Sequence, residues 1–285
     1  MRLSDKEIKE IKEIKEKSVK TNEIVKKMTI EEVFKNKDLI LTKKKLALKR
    51  GDVVLNISTT ENPIVVTKSE GEENNPDLLK VKVVINTTNI IDSHMDCHIK
   101  GIWKKSLSEL KQVFLLQEHE MEFDKIIADS TIDKLSVNIE NRTFKSLGLE
   151  LEGSTEALVF DAEIKRDVNP YMFDLYKKGR VNQHSVGMRY VKIFLCINKE
   201  DAMYSSEKAN WNKYYPQVAN KDVADAKGYF WAVTEAQIVE GSAVVKGSND
   251  ATPTLSIEAV TENTSNENKN EPTTVTQEKK NYLYY

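Results

Sequence analysis

The segment VNQHSVGMRYVK, residues 181–192, alternates like a half-buried β-strand but carries polar residues in its middle. Alternate residues of a strand point to the same face, so Ser185, Gly187 and Arg189 would form one row. A hydroxyl, a position without a side chain and a cation in one row are more typical of a site than of a core. Serine chemistry would also require a base for the hydroxyl proton, an acid that orients the base, and N–H donors for the oxyanion.

The base would have to be one of the four histidines of the chain. His94 and His98 lie in a polar stretch, and His184 adjoins Ser185, so its side chain would point to the opposite face of the strand. His119, in VFLLQEHEMEFD, follows an apolar run and could face a cleft. On spacing alone, an exposed histidine in an acidic loop is the preferred interpretation of His119.

Metal and thiol chemistry have less support. The segment DSHMDCHI, residues 92–99, collects Asp, His and Cys side chains, but the chain has no second Cys/His pair to complete a structural zinc site. We therefore expect a polar turn there, with no metal and no cofactor. Cys196 lies in the apolar run KIFLCIN, and Cys97 has no cationic neighbour in sequence that would activate a thiol. Neither cysteine is expected to act as a nucleophile.

The candidate residues would be positioned mainly by short strands. From about Gly51 the sequence contains runs rich in Val, Ile, Phe and Tyr, separated by Gly, Asn, Pro or acidic clusters. Helices interrupt them: residues 106–116 have helical spacing, and NPYMFDLYKKG has a cap at Asn169, Pro170 in the first turn and a stop at Gly179. Because the strands outnumber the helices and do not alternate regularly with them, the predicted fold class is α+β, around an antiparallel sheet or barrel.

Composition divides the chain of 285 residues into three parts. Residues 1–50 are predicted to be an N-terminal helical arm, with capping-box patterns at Ser4 and at Thr29 followed by Glu32, and with a thin apolar stripe. The arm could be solvated or could bind a partner. Residues 51–252 would form the folded domain, and residues 253–285, rich in Asn, Thr and Glu, a disordered polar tail.

Charge and hydropathy exclude two classes of partner. The formal net charge of −2 gives no overall attraction to nucleic acid, and no apolar run approaches the length of a membrane span or of a signal-peptide core. Two cysteines cannot form a disulfide framework. We therefore expect no nucleic-acid or membrane partner, and a reducing, soluble compartment.

Four segments, in this order, resemble the prohead serine proteases of tailed bacteriophages, a family that shares its fold with the herpesvirus assemblins. They are IDSHMDCHIKGIWKKSL, LLQEHE, HSVGM and VTEAQIVEGSAVVKGSNDAT, within about residues 81–252. The resemblance departs from the family pattern in two places, where Glu118 is inserted between Gln117 and His119 and where Met188 replaces an aromatic residue. It implies a herpesvirus protease-like antiparallel β-barrel core surrounded by helices.

The resemblance also implies roles for individual residues. Ser185 would be the nucleophile and His119 the general base, with Glu240 as the third member and Glu235 as its competitor. The closing-strand motif around Glu240 is kept in register by Ser242, Val245, Gly247 and Asn249. Gly187 would let the substrate backbone approach, and Arg189 would support the oxyanion hole directly or through a water.

The function implied is that of a capsid maturation protease. Such an enzyme enters the assembling prohead in the host cytoplasm, cleaves the scaffold protein and the N-terminal part of the major capsid protein, and trims itself. The terminal arms would retain it among scaffold proteins and serve as its own cleavage sites. Analogy with the herpesvirus enzymes suggests a homodimer. The alternative is a catalytically inert, scaffold-type capsid assembly protein that keeps the same barrel.

Overall fold

The structure is a computed structural model that describes residues 28–48, 65–69 and 77–260. Its strands are β1 Val65–Ser69, β2 Leu78–Thr87, β3 Asp96–His98, β4 Phe114–Gln117, β5 Ile126–Asp129, β6 Leu135–Thr143, β7 Ser154–Lys165, β8 His184–Ile197, β9 Tyr229–Ala243 and β10 Thr254–Val260. Its helices are α1 Ile30–Lys35, α2 Lys37–Leu46, α3 Lys104–Glu109, α4 Pro170–Lys177, α5 Ser205–Tyr214 and α6 Lys221–Lys227. Single 3-10 turns lie at Phe123–Lys125, Lys145–Leu147, Ala202–Tyr204 and Tyr215–Gln217. None of these helices is long and apolar enough to cross a membrane.

The strands form two sheets, so the predicted α+β class is confirmed. In the first sheet the order is β1-β10-β2-β7-β6, and every neighbouring pair is antiparallel except β1 with β10. The second sheet is built on β9, which has the antiparallel β8 on one side and the parallel strands β3 and β4 on the other; β5 pairs with β4. The expected closed antiparallel barrel is not formed, since pairing among the described strands leaves two separate mixed sheets.

Apolar side chains pack the two sheets against each other. A Cβ at Gly241 of β9 would lie 2.6 Å from Phe160 Cε2 on β7 and 2.9 Å from Ile85 Cδ1 on β2. The glycine therefore lets the second sheet approach the first closely, and buried residues of both sheets belong to one apolar cluster. A closed barrel would instead require the edge strands to pair with each other.

The inner face of β2 illustrates why these segments are strands. Leu79, Val81 and Val83 are buried, while Lys80 and Lys82 alternate with them on the partly exposed face. This alternation has the period of two that a strand requires. Burial of the apolar row against the second sheet is what stabilises the pairing.

The second half of the predicted N-terminal arm is packed on the sheets. The capping box at the start of α1 forms as predicted: Glu32 N–H donates to Thr29 Oγ1 at 3.3 Å and Thr29 N–H donates to Glu32 Oε2 at 2.8 Å. Val33 of α1 and Ile40 of α2 are buried in the same apolar cluster as the sheets. Residues 28–48 thus contribute to the core of the domain, and the helix start predicted at Ser4 lies outside the described residues.

The first part of the predicted tail is a strand. Residues 253–285 were expected to be disordered, but Thr254–Val260 form β10, which pairs with both β1 and β2. The run TLSIEAV alternates apolar and polar residues, and its Ile257 is fully buried. The disordered assignment is therefore wrong for this segment, and residues 261–285 lie outside the described ranges.

The predicted helix over residues 106–116 is correct only at its start. Helix α3 ends at Glu109, and Phe114–Gln117 form β4 between β9 and β5. Helix α4 is as predicted: Asn169 Oδ1 accepts a hydrogen bond from Met172 N–H at 3.0 Å, and Gly179 follows the helix with a φ of 64°. Because the helix ends at Glu109, the following residues can form β4, which pairs with the end of β9.

Candidate active site

Ser185 lies at the start of β8, beside the end of β9. In the antiparallel pairing of these strands, Ser185 is opposite Ser242 and Gly187 is opposite Glu240. Residues that are directly opposite in a sheet point to the same face. The hydroxyl of Ser185, which is largely buried, therefore belongs to the face of the sheet that carries Glu240 and Ser242.

His119 lies in a strained turn that follows β4. Glu118 and His119 have φ values of 52° and 61°, and Glu120 N–H donates to the Gln117 carbonyl oxygen at 3.0 Å. Two positive φ values between hydrogen-bonded ends define a type I′ turn, which usually takes Gly, Asn or Asp. Residues held in sparsely populated backbone regions are found mainly where the surrounding structure fixes them, often at functional sites.

Glu118, the residue inserted relative to the family pattern, ties this turn to the end of β9. Its N–H donates to the Ala243 carbonyl oxygen at 2.9 Å, and its Oε1 accepts from Val245 N–H at 2.9 Å. The first bond continues the parallel pairing of β4 with β9 beyond the last strand residue, and the second adds a side-chain contact. Together they hold the turn that carries His119 against the end of β9.

His119 and Glu240 form a buried pair. The distance between His119 Nδ1 and Glu240 Oε1 is 2.6 Å, and Glu240 is fully buried. Because a carboxylate only accepts hydrogen bonds, Nδ1 donates in this contact, and a neutral ring in this geometry has its lone pair on Nε2. Nε2 is buried and has no hydrogen-bond partner among the described residues. The ring is thus in the tautomer that a general base requires.

Ser242 contacts both members of this pair. Its hydroxyl donates to Glu240 Oε2 at 2.6 Å and accepts from His119 N–H at 3.2 Å. Ser242 was predicted only as part of the motif around Glu240, without a contact of its own. The signal was available, since residues two apart in a strand, such as Glu240 and Ser242, share a face.

The Glu240 carboxylate fills the space next to Gly187. A Cβ at this position would lie 1.9 Å from Glu240 Oε1 and 2.6 Å from its Cδ. The immediate neighbour of this glycine is therefore the Glu240 carboxylate, whereas the resemblance implied a substrate backbone. Arg189 is exposed and lies opposite Gln237, beyond an irregularity in the β8–β9 register that follows Gly187.

Glu235, the competitor for the third position, is held elsewhere. It lies opposite Lys192 and is hydrogen-bonded to that side chain, with Lys105 Nζ at 3.6 Å. The hydrogen bond from Lys192 holds the pKa of the Glu235 carboxyl below its ordinary value. Of the two acids, Glu240 is the one that contacts His119.

A cavity of about 20 Å³ borders Ser185. That volume is enough for about one water molecule. The polar side chains that line it come from β2, from β8 and from the two loops that follow β2 and β9; they include Asn86, Asp92, His94, Tyr190 and Asn249. The cavity thus borders Ser185, but neither His119 nor Glu240 lines it.

His184 has a structural role. Its Nε2 is 3.0 Å from the Tyr176 hydroxyl and its Nδ1 is 3.1 Å from the Thr252 carbonyl oxygen. Complete burial lowers the pKa of His184 to about 4, so the ring is neutral at physiological pH. The His184 ring is thus bonded to Tyr176 and to Thr252, and neither of these residues belongs to the His119–Glu240 pair.

The polar turn expected over residues 92–99 forms only at the start of this segment, because Asp96–His98 form β3. Asp92 Oδ1 accepts from the backbone N–H groups of His94 and Asp96 at 2.8 and 2.9 Å. Asp96 accepts from the Tyr190 hydroxyl at 3.0 Å, and that hydroxyl is 3.1 Å from His98 Nε2. Asp96 also forms a buried ion pair with Lys44 of α2. Within the described ranges no three His, Cys, Asp or Glu side chains are grouped as a metal site.

Both cysteines are buried and free of disulfide bonds. Burial raises the pKa of the Cys97 thiol well above its ordinary range and that of Cys196 likewise. Both thiols therefore remain protonated at neutral pH, and a protonated thiol is a poor nucleophile.

The arrangement brings an alcohol, an imidazole and a carboxylate to one face of the second sheet. Such a set can move a proton from the alcohol to the imidazole while the carboxylate stabilises the positive ring. His119 contacts Glu240, and Ser185 lies opposite Ser242 on the strand that carries Glu240, whereas Glu235 is bonded to Lys192. Comparison of the chain with protein-family models, with curated proteins and with solved structures finds no match.

Proposed function

We propose that this protein is a serine endopeptidase of the prohead-protease type, with Ser185 as nucleophile, His119 as general base and Glu240 as the orienting acid. The observation that carries the proposal is the buried His119–Glu240 contact of 2.6 Å. It is supported by the lack of a hydrogen-bond partner for His119 Nε2 among the described residues and by the position of Ser185 opposite Ser242. The four sequence segments that resemble the family supply the substrate class. The finer fold assignment, a herpesvirus protease-like core, is part of the same proposal.

Peptide hydrolysis would proceed through an acyl-enzyme. Ser185 Oγ attacks the substrate carbonyl carbon as its proton passes to His119 Nε2, and the Glu240 carboxylate stabilises the imidazolium. The imidazolium then protonates the leaving amine as the C–N bond breaks. A water, deprotonated by the same ring, hydrolyses the ester and returns the proton to Ser185. Arg189 remains the proposed donor to the oxyanion, directly or through a water.

The proposal requires His119 and Ser185 to come into hydrogen-bond contact when substrate binds. His119 Nε2 has no hydrogen-bond partner among the residues that the structure describes. Hydrogen bonds between catalytic groups are often long in the free enzyme and shorten in the substrate complex. We propose that substrate binding brings His119 Nε2 within hydrogen-bond distance of Ser185 Oγ.

The proposed substrates are the phage scaffold protein and the major capsid protein, cleaved inside the assembling prohead in the host cytoplasm, and the enzyme's own terminal segments. A homodimer is proposed by analogy with the herpesvirus enzymes. No cofactor enters the proposed reaction, because the three side chains supply both the nucleophile and the proton transfers.

The test is the variant Ser185→Ala, compared with Ser136→Ala, which removes an exposed serine hydroxyl from the outer strand β6. Ser185→Ala should abolish cleavage of scaffold protein, while the circular dichroism spectrum and the melting temperature stay close to those of the unaltered protein. Ser136→Ala should cleave normally. Normal maturation of particles that carry Ser185→Ala would refute the proposal.

The second candidate is an inert scaffold-type assembly protein with the same fold. The observation that favours it is the lack of a hydrogen bond at His119 Nε2 within the described part of the chain. A serine-reactive fluorophosphonate probe distinguishes the two candidates. Labelling that disappears in Ser185→Ala supports the protease, and no labelling of the intact protein supports the inert candidate.

A further inference from the structure

We propose that Ser242 is a positioning residue, whose hydroxyl fixes the Glu240 carboxylate and the His119 turn in one geometry. The inference rests on the proposed serine-protease function and extends it by one residue, for which no role was predicted. Ser242 is fully buried on β9, two residues after Glu240 and opposite Ser185. It therefore acts through its neighbours and does not touch substrate.

The first link is to the acid. Glu240 uses Oε1 for His119 Nδ1 and Oε2 for the Ser242 hydroxyl, at 2.6 Å in each case. With both oxygens engaged by different partners, rotation of the carboxylate would break one of the two bonds. Hydrogen bonds to an ionised group are stronger than neutral ones, so the arrangement is strongly preferred. Alanine at position 242 would leave Oε2 without this donor.

The second link is to the histidine. The same hydroxyl accepts from the His119 backbone N–H at 3.2 Å, in the turn where His119 has a φ of 61°. A serine hydroxyl has one donor and two acceptor sites, so it can serve both groups at once. Ser242 thereby joins the strained turn to the acid and sets the height of the imidazole above β9.

The experiment compares Ser242→Ala with a matched control, Ser106→Ala. The Ser106 hydroxyl is also buried and also bonds to β9, accepting from Ile238 N–H at 2.8 Å, but it touches neither His119 nor Glu240. We expect Ser242→Ala to lower kcat by roughly 10- to 100-fold with KM changed by less than about 2-fold, the size of one lost hydrogen bond to a charged group. Ser106→Ala should keep kcat within about 2-fold.

Two further measurements separate positioning from general loosening of the fold. Without the Ser242 hydroxyl, the Glu240 carboxylate has one donor fewer and stabilises the positive form of the His119 ring more strongly. The acid limb of the kcat/KM profile should therefore move to higher pH. The downfield proton resonance of His119 Nδ1–H, recorded by NMR in the inactive Ser185→Ala protein, should broaden or disappear on adding Ser242→Ala. Ser106→Ala should change neither readout.

The outcomes distinguish this inference from the proposed function. If Ser185→Ala abolishes cleavage but Ser242→Ala matches Ser106→Ala in kcat, in the pH profile and in the NMR spectrum, the positioning role is wrong and the protease proposal stands. If Ser185→Ala retains full activity, the protease proposal fails, and the NMR comparison alone decides whether Ser242 orders the His119–Glu240 pair. If Ser242→Ala and Ser106→Ala both lost structure, a specific role for Ser242 would also be contradicted.

Discussion

Replacing Gly187 with alanine should disable the site by displacing the acid. A Cβ at this position would lie 1.9 Å from Glu240 Oε1, 2.6 Å from Cδ and 3.0 Å from Cγ. Separations this short cannot persist, and the Glu240 side chain is fully buried between its partners. The carboxylate would have to leave the His119 ring or the two strands would have to separate.

The magnitude follows from the bonds that would be lost. Hydrogen bonds to a charged group contribute about 1.5–3 kcal/mol each, and Glu240 makes two, to His119 and to Ser242. Disrupting a buried charged pair typically costs about 3–5 kcal/mol. We therefore expect Gly187→Ala to lower the free energy of unfolding by about 3–5 kcal/mol. Peptide cleavage should fall by roughly 10²- to 10⁴-fold, as when the orienting acid of a serine triad is lost.

A double-mutant cycle makes this prediction specific. The three atoms nearest to the added methyl all belong to the Glu240 side chain beyond Cβ, and Glu240→Ala removes all three. In the Glu240→Ala background, Gly187→Ala should therefore cost less than about 1 kcal/mol, measured by urea denaturation. Equal cost in the two backgrounds would refute the steric argument and leave the role of Gly187 unexplained.

Two further predictions test the assignments of charge. Glu240→Gln should lower cleavage by about 10³- to 10⁴-fold, whereas Glu235→Gln, which alters a carboxylate bonded to a lysine, should stay within about 2-fold in the same peptide assay; comparable losses would contradict the choice of acid. Because burial lowers the pKa of His184 to about 4, its contribution to stability is complete above about pH 6.5 and is lost as the pH falls toward 4. When the pH falls from 7 to 5, the free energy of unfolding of His184→Gln should therefore decrease by about 2 kcal/mol less than that of the unaltered protein. Equal decreases would show that His184 is charged when folded.

The sequence identified the candidate residues because strand alternation and short motifs are local properties. Ser185 was identified from the period of two along one strand. The choice between Glu235 and Glu240 did not, because the β8–β9 pairing shifts register three times between Gly187 and Ile193. Each shift changes which residues are opposite, and a bulge has no reliable sequence signal.

Errors in the fold prediction have the same physical origin. The run VFLL was assigned to a helix, but β4 is stabilised by pairing with β9 and β5, which are distant in sequence. Short apolar runs fit both helix and strand, and tertiary pairing decides between them. The strand Thr254–Val260 was missed because the polar composition of the following residues dominated the interpretation. Sheet closure likewise depends on edge pairing that no local pattern encodes.

The two helices at the N-terminal side of the domain limit how the proposed protease could process itself. Val33 and Ile40 fill the interior, and Lys44 reaches the buried carboxylate of Asp96. Removing these helices would leave a cavity in the core and would leave the buried Asp96 carboxylate without Lys44. The combined loss in the free energy of unfolding would be comparable to the whole stability of a typical domain. Productive self-cleavage on this side is thus confined to residues ahead of the helices, or to the connection that follows them. A cut in that connection would yield two polypeptides that remain non-covalently associated and separate only in denaturant.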